Sequence, residues 1–238
     1  MLSFLRSLEL DRSQLYGKFI TVHEEHGGDA SFALSSFITE FLGDRDASVL
    51  VVALHHNFEH YFHTCLRLGM NLNNHKDRIE FVEPDAVKLC QLETFNEADD
   101  FKNLLNVLKN NINRLERQKG KVCLVVDCLT DLLVLSDDAK TVKIFIHYLY
   151  TLLKDNLCII VLNQYAQGDQ AEISVKTHLE MSSHLNLYVS PLKTGFSKKV
   201  SGSMRLEARG DSNQLNTKFY HYRLTDKQIK IFSPGNIS

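Results

Sequence analysis

The chain's 238 residues, 44% hydrophobic and 24% charged, suit one globular α/β domain over residues 1–238 and leave room for a sizeable core without a second domain. A formal net charge of −2 excludes a global basic field that would draw the chain to nucleic acid or to an anionic membrane surface, so any such binding must rest on a local patch. The five cysteines, Cys65, Cys90, Cys123, Cys128 and Cys158, form no CxxC pair and lie mostly in or beside apolar runs, which argues for reduced buried thiols against disulfides or a zinc site.

The opening stretch MLSFLRSLELDRSQ carries an arginine and acidic residues where a signal peptide needs an unbroken apolar region. No apolar run approaches membrane-spanning length, so the expectation is no membrane partner and a cytoplasmic or nuclear location. Lys18 to Val22 then reads as a strand, and a helix follows whose Leu34, Phe37, Ile38 and Phe41 share one stripe, ending at Gly43. Asp29 or Ser31 can cap it. Ser48 to Leu54, SVLVVAL, is a continuous apolar run of strand length, as expected of a strand buried on both faces in a parallel sheet. The next helix turns Phe58, Tyr61, Phe62, Cys65 and Leu66 inward and stops at Gly69.

Arg78 to Val82 gives a third strand closed by Pro84. A long amphipathic helix follows, with Phe101, Leu104, Leu105, Leu108, Ile112 and Leu115 in register. Its terminal bases Arg114, Arg117 and Lys119 suit the helix dipole better than a nucleic-acid patch. KVCLVVD supplies the fourth strand, Val142 to Leu153 a further helix, and Leu157 to Leu162 the fifth strand. The segment GDQAEISVKTHLEMSSH is polar and weakly helical. Short alternating strands follow it, LNLYVSPL, SMRLEARG and the hairpin FYHYRL with QIKIF around Thr225, Asp226 and Lys227, which suggests an antiparallel extension. Strands alternating with helices predict a doubly wound, mostly parallel α/β sheet of RecA-like architecture with antiparallel C-terminal strands.

The stretch HEEHGGDASF sits where a phosphate-binding loop would join the first strand to its helix. Laying GxxxxGK[ST] on EEHGGDAS puts Glu24 and Asp29 at the glycines, Ala30 at the lysine and Ser31 at the hydroxyl, so only the last position survives. Glu24, Glu25 and Asp29 would repel a polyanion by about 1 kcal/mol per unit charge at 4 Å even in bulk water. Asp127 ends an apolar strand, as a Walker B aspartate does on Mg²⁺, yet many parallel strands end in Asp, and a carboxylate that caps the loop at the strand end is the favoured expectation. Ser31 and Asp127 are thus the remnants of a degenerate nucleotide site.

His56, His60 and His63 fall on one helix face, but no acidic or cysteine pattern beside them completes a metal site, and HEEH lacks the HExxH spacing. No nucleophile elbow or catalytic triad spacing is legible. No catalytic residue, cofactor or metal is therefore expected. The richest basic segment is PLKTGFSKKVSGSMRL, in which Lys193, Lys198, Lys199 and Arg205 flank Phe196. It could contact RNA phosphates and stack one base, or be a hairpin with solvated lysines.

GGDASF, VVALHHNFEHYFHTCLRLG, VCLVVDCLTDLL with IFIHYL, and SSHLNLYVSPLKTGFSKKVSGSMRL, taken in order, resemble the family of sixth subunits of the Elongator complex over nearly the whole chain. The resemblance implies a RecA-like, non-catalytic subunit without a complete Walker A motif. It further implies a six-membered ring with the fourth and fifth subunits, docked on the larger catalytic subunits, that binds tRNA and supports wobble-uridine modification. The alternative is an ATPase ring subunit whose site is completed at a subunit junction. By position, Gln164 to Lys176 and Lys193 to Arg205 are candidates for touching tRNA or a neighbouring subunit.

Overall fold

A computed structural model describes residues 3–83, 97–136, 138–165, 169–192, 197, 199–210, 214–225 and 228–235, with side chains from residue 102 onward in the helix that opens at 97. Six strands come first: β1 (Phe19–Glu24), β2 (Ala47–Val52), β3 (Ile79–Val82), β4 (Lys121–Val126), β5 (Leu157–Gln164) and β6 (Leu185–Ser190). They alternate with helices α1 (Phe4–Ser7), α2 (Ser31–Leu42), α3 (Phe58–Arg67), α4 (Glu97–Lys119), α5 (Leu129–Ser136), α6 (Ala139–Thr151) and α7 (Gln170–Ser182). Strands β7 (Gly202–Arg209), β8 (Leu215–Thr225) and β9 (Gln228–Phe232) finish the chain.

All nine described strands share one sheet in the order β3-β2-β4-β5-β1-β6-β7-β8-β9. Pairs from β3 through β6 are parallel and those from β6 through β9 antiparallel, so the mostly parallel sheet with an antiparallel C-terminal end forms as predicted. One detail differs. LNLYVS was expected among the antiparallel strands, but β6 runs parallel to β1, with Val22 opposite Leu187. The polar helix α7 carries the chain from β5 past β1 to β6, as a parallel connection requires.

Every residue of β2 is buried, which is why its sequence shows no polar alternation. Successive residues of the central strands feed opposite layers. Ile20, Val22, Val49, Val51, Val125 and Ile160 pack with α1, α2 and α3, whereas Leu50, Val52, Leu124, Val126, Ile159 and Val161 pack with α4 to α7. Phe37 and Phe41 of α2 are fully buried and meet Phe4 and Tyr16 edge-on, at 5.3 and 5.4 Å. Each such burial contributes about 1.5–3 kcal/mol.

The expected elements recur with shifted ends. β1 runs two residues past Val22, which places His23 and Glu24 in the strand instead of the loop. Leu66 points outward and is 45% exposed, because the inward stripe of α3 is narrow and centres on Tyr61 and Cys65. α1 and α5 were not anticipated. α5 is apolar nearly all round, with Leu129, Leu132 and Leu133 buried and Val134 exposed, so it shows no amphipathic period. Cys65, Cys123, Cys128 and Cys158 are free and buried. Pro84, Cys90, Asp226, Lys227 and the side chain of Phe101 lie outside the described residues. Two of the terminal bases of α4 make local ion pairs, Arg114 with Glu80 and Lys119 with Asp77.

Candidate functional site

In an open α/β sheet, ligands bind outside the carboxyl ends of the parallel strands. Here those ends bring together Glu24 of β1, Asp127 after β4, Gln164 of β5, the loop after β2, and the N-termini of α2, α5 and α7.

The turn from β1 to α2 is held by its own side chains. Glu24 turns back so that its Oε2 accepts from the backbone N–H of Ala30 at 2.7 Å, at the N-terminus of α2. Asp29 Oδ1 accepts from the backbone N–H of Ser31 at 3.0 Å and from the Ser31 hydroxyl at 2.6 Å. In a phosphate-binding loop, backbone N–H groups and the positive end of the helix hold phosphate oxygens. Here two carboxylates take that place, and the hydroxyl that would face Mg²⁺ is bonded to one of them. Burial, aided by Asp29, pushes the Glu24 carboxyl above its usual range although the Ala30 N–H lowers it.

The two glycines serve this turn. Gly27 has φ +78°, which favours glycine, and a Cβ on Gly28 would stand 2.9 Å from the Glu25 carbonyl oxygen and 3.1 Å from that of Val189. Glu25 is tied to β6, its N–H donating to Val189 O at 2.9 Å and its carboxylate accepting from Ser190 Oγ.

Asp127 is 2% exposed, and its carboxylate is already surrounded by donors. Oδ1 accepts from the backbone N–H of Leu54 at 2.6 Å and of His55 at 3.1 Å. Oδ2 accepts from His56 N–H at 2.9 Å and from the Tyr61 hydroxyl at 3.3 Å. The strand-end aspartate therefore closes the β2–α3 loop. Burial raises its carboxyl above the ordinary range, opposed by the N–H groups of His56, His55 and Leu54.

The remaining depression between these parts has a volume of about 240 Å³ and is lined by Glu24, Glu25, His26, Gly27, Thr130, Gln164, Tyr165 and Glu172. That is below the roughly 300–1,000 Å³ of small-molecule sites. Its three carboxylates oppose a nucleotide triphosphate.

Beneath it lies a polar cluster that the sequence did not announce. His23 is fully buried; its Nε2 faces Asn186 Oδ1 at 2.8 Å, its Nδ1 meets the Tyr165 hydroxyl, and its ring stacks on Tyr188 at 4.5 Å. The Asn186 oxygen only accepts, so Nε2 carries a proton, and because burial favours the neutral ring, Nδ1 then accepts from the Tyr165 hydroxyl. Burial lowers its pKa to about 4, with Lys176 and Arg205 adding to the shift against the Asn186 bond. Lys176 lies over the Tyr165 ring at 4.8 Å.

The other predicted residues fare differently. Arg205 stacks over Tyr188 at 3.9 Å and pairs with Glu207, so its charge serves the β6–β7 pair. Lys199 is exposed, its N–H bonded to Ser197 Oγ at 3.2 Å. Lys193, Phe196 and Lys198 lie outside the described residues. His56 and His60 stack face to face at 3.7 Å, with burial and the neighbouring imidazoles lowering both, while His63 is exposed one turn away. No helix among the described residues is long and apolar enough to cross a membrane.

The fold has a solved counterpart in the KaiC-like protein of Pyrococcus horikoshii OT3, with TM-score 0.65 and 14% identity, covering 91% of this chain and 90% of that one. The sheet order and this match make the fold RecA-like. Among curated proteins, Elongator complex protein 6 of Drosophila melanogaster is 24% identical, covering 99% of this chain and 97% of its own length. The Xenopus laevis protein of that name is 27% identical over 92% and 91%, and the Homo sapiens one 26% identical over 87% of each. A family model for Elongation complex protein 6 matches residues 3–226, and the chain belongs to that family.

Proposed function

We propose that this chain is a non-catalytic subunit of the Elongator accessory ring, placed beside the fourth and fifth subunits and docked with them on the larger catalytic subunits. In this reading it supports wobble-uridine modification by binding tRNA and its neighbours, in the cytoplasm or the nucleus. The observation that carries it is the Glu24 carboxylate seated on the N-terminus of α2, where a nucleotide-binding relative would hold phosphate. An ATPase completed at a subunit junction would need Ser31 and Asp127 on Mg²⁺, and both are already committed to protein donors or acceptors. The fold and the family membership support a ring role without demanding hydrolysis.

The tRNA surface is assigned to the Lys193, Phe196, Lys198 and Lys199 segment, with Arg205 as its anchor on Tyr188. Lys198→Ala with Lys199→Ala in the assembled ring is expected to weaken tRNA binding and to lower the salt slope by about one for each lysine–phosphate ion pair removed. Filter binding across a salt series measures it. An unchanged slope would return these lysines to a solvated face.

A further inference from the structure

At the carboxyl ends of β2 and β4, a nitrogen of His55, the sulfur of Cys128 and a carboxylate oxygen of Asp131 lie within 4.8 Å of one another. No other such group of His, Cys, Asp and Glu ligands occurs among the described residues. We propose that these three side chains bind one Zn²⁺ ion, with a water in the fourth position.

The spacing and the chemistry both fit. Cys128 and Asp131 stand i, i+3 at the start of α5, the spacing with which paired zinc ligands leave a turn. Ligand atoms on one tetrahedral zinc are about 3.4–3.6 Å apart, given bonds of about 2.0–2.3 Å. His55 Nδ1 is already 2.9 Å from Asp131 Oδ2, so small side-chain rotations gather all three. His55 itself is positioned from behind, since Asp127 holds the backbone N–H groups of Leu54, His55 and His56. A neighbour that orients a ligand without binding the metal is a usual feature of such sites.

Exposure supplies an entry path, because His55 is exposed and Asp131 half-buried while Cys128 lies beneath them. A thiolate with an imidazole selects zinc over Mg²⁺ or Ca²⁺, so this is not a relic of nucleotide-bound Mg²⁺. On binding, Cys128 gives its thiol proton to solvent and His55 binds as neutral imidazole. The site does not depend on the ring reading.

The full chain, stripped with a chelator and titrated with Co²⁺, tests the proposal. One equivalent should bind with a thiolate-to-cobalt charge-transfer band that Zn²⁺ displaces. Cys128→Ser should remove the band. His55→Ala, at an exposed position that leaves folding intact by circular dichroism, should weaken Co²⁺ binding by at least about tenfold. A folded wild-type chain without the band overturns the proposal. So does a band that keeps its strength in both variants.

Discussion

Alanine in place of Asp127 is expected to lower the stability of the folded chain by about 3–5 kcal/mol, read as a shift of the urea midpoint at unchanged slope. The substitution strips three backbone N–H groups and the Tyr61 hydroxyl of their acceptor. Tyr61 is fully buried, and the N–H of Leu54 follows directly on the last residues of β2, where water replaces the carboxylate poorly. Domains are stable by only about 5–15 kcal/mol, so a large part of the total disappears. Asparagine keeps the shape but turns an NH₂ group toward donors, so Asp127→Asn should recover only part of the loss. A cost below about 1 kcal/mol for Asp127→Ala would mean that the loop is held by something else. The same aspartate in a working Walker B strand would instead show its effect in hydrolysis, with little in stability.

The second large effect is on pH dependence, through His23. Its folded pKa of about 4 is depressed from 6.5. A histidine lowered in this way binds its proton more readily when unfolded. Its contribution to stability is therefore complete above pH 6.5 and is lost as pH falls from 6.5 toward 4. The loss is about 3 kcal/mol across that window, at about 1.4 kcal/mol per pH unit. His56, His60, His75, His178 and His184 are lowered too and act in the same direction. Glu24 and Asp127, whose carboxyls are raised, act oppositely, because their folded forms take protons more readily as pH falls. The difference between wild type and His23→Leu isolates the imidazole: urea unfolding at several pH values should give the variant a flatter curve between pH 6.5 and 4. Parallel curves would show that His23 protonates freely in the folded chain.

These two residues also mark the limit of reading from sequence. The parallel core is legible because strands buried on both faces become unbroken runs, as in SVLVVAL and NLCIIVL. Alternation in LNLYVS marks a strand but carries no direction, so the parallel course of β6 needed the structure. α5 escaped because a short helix that is apolar nearly all round shows no amphipathic period. The mismatch of HEEHGGDASF to a phosphate loop was plain in its residues, but the carboxylate seated on the helix was not. It follows from β1 extending to Glu24.

Hydrogen bonds made at long separation leave no local trace. Asp127 meets Leu54 across 73 positions and His23 meets Asn186 across 163. The histidine-rich stretch shows the same effect. One helix face suggested His56, His60 and His63, whereas folding brings His55 to Cys128 and Asp131, and their C-x-x-D spacing was the one available signal.

The proposed role turns on the chain not binding nucleotide in cis, since Glu24 and Asp29 accept from the backbone N–H groups of Ala30 and Ser31 where phosphate would sit. Calorimetric titration of the purified chain with MgATP and MgADP tests it most directly. No saturable binding up to about 1 mM is expected, weaker than about −4 kcal/mol. Stoichiometric binding in the micromolar range, lost on Asp127→Asn with folding retained, would contradict it.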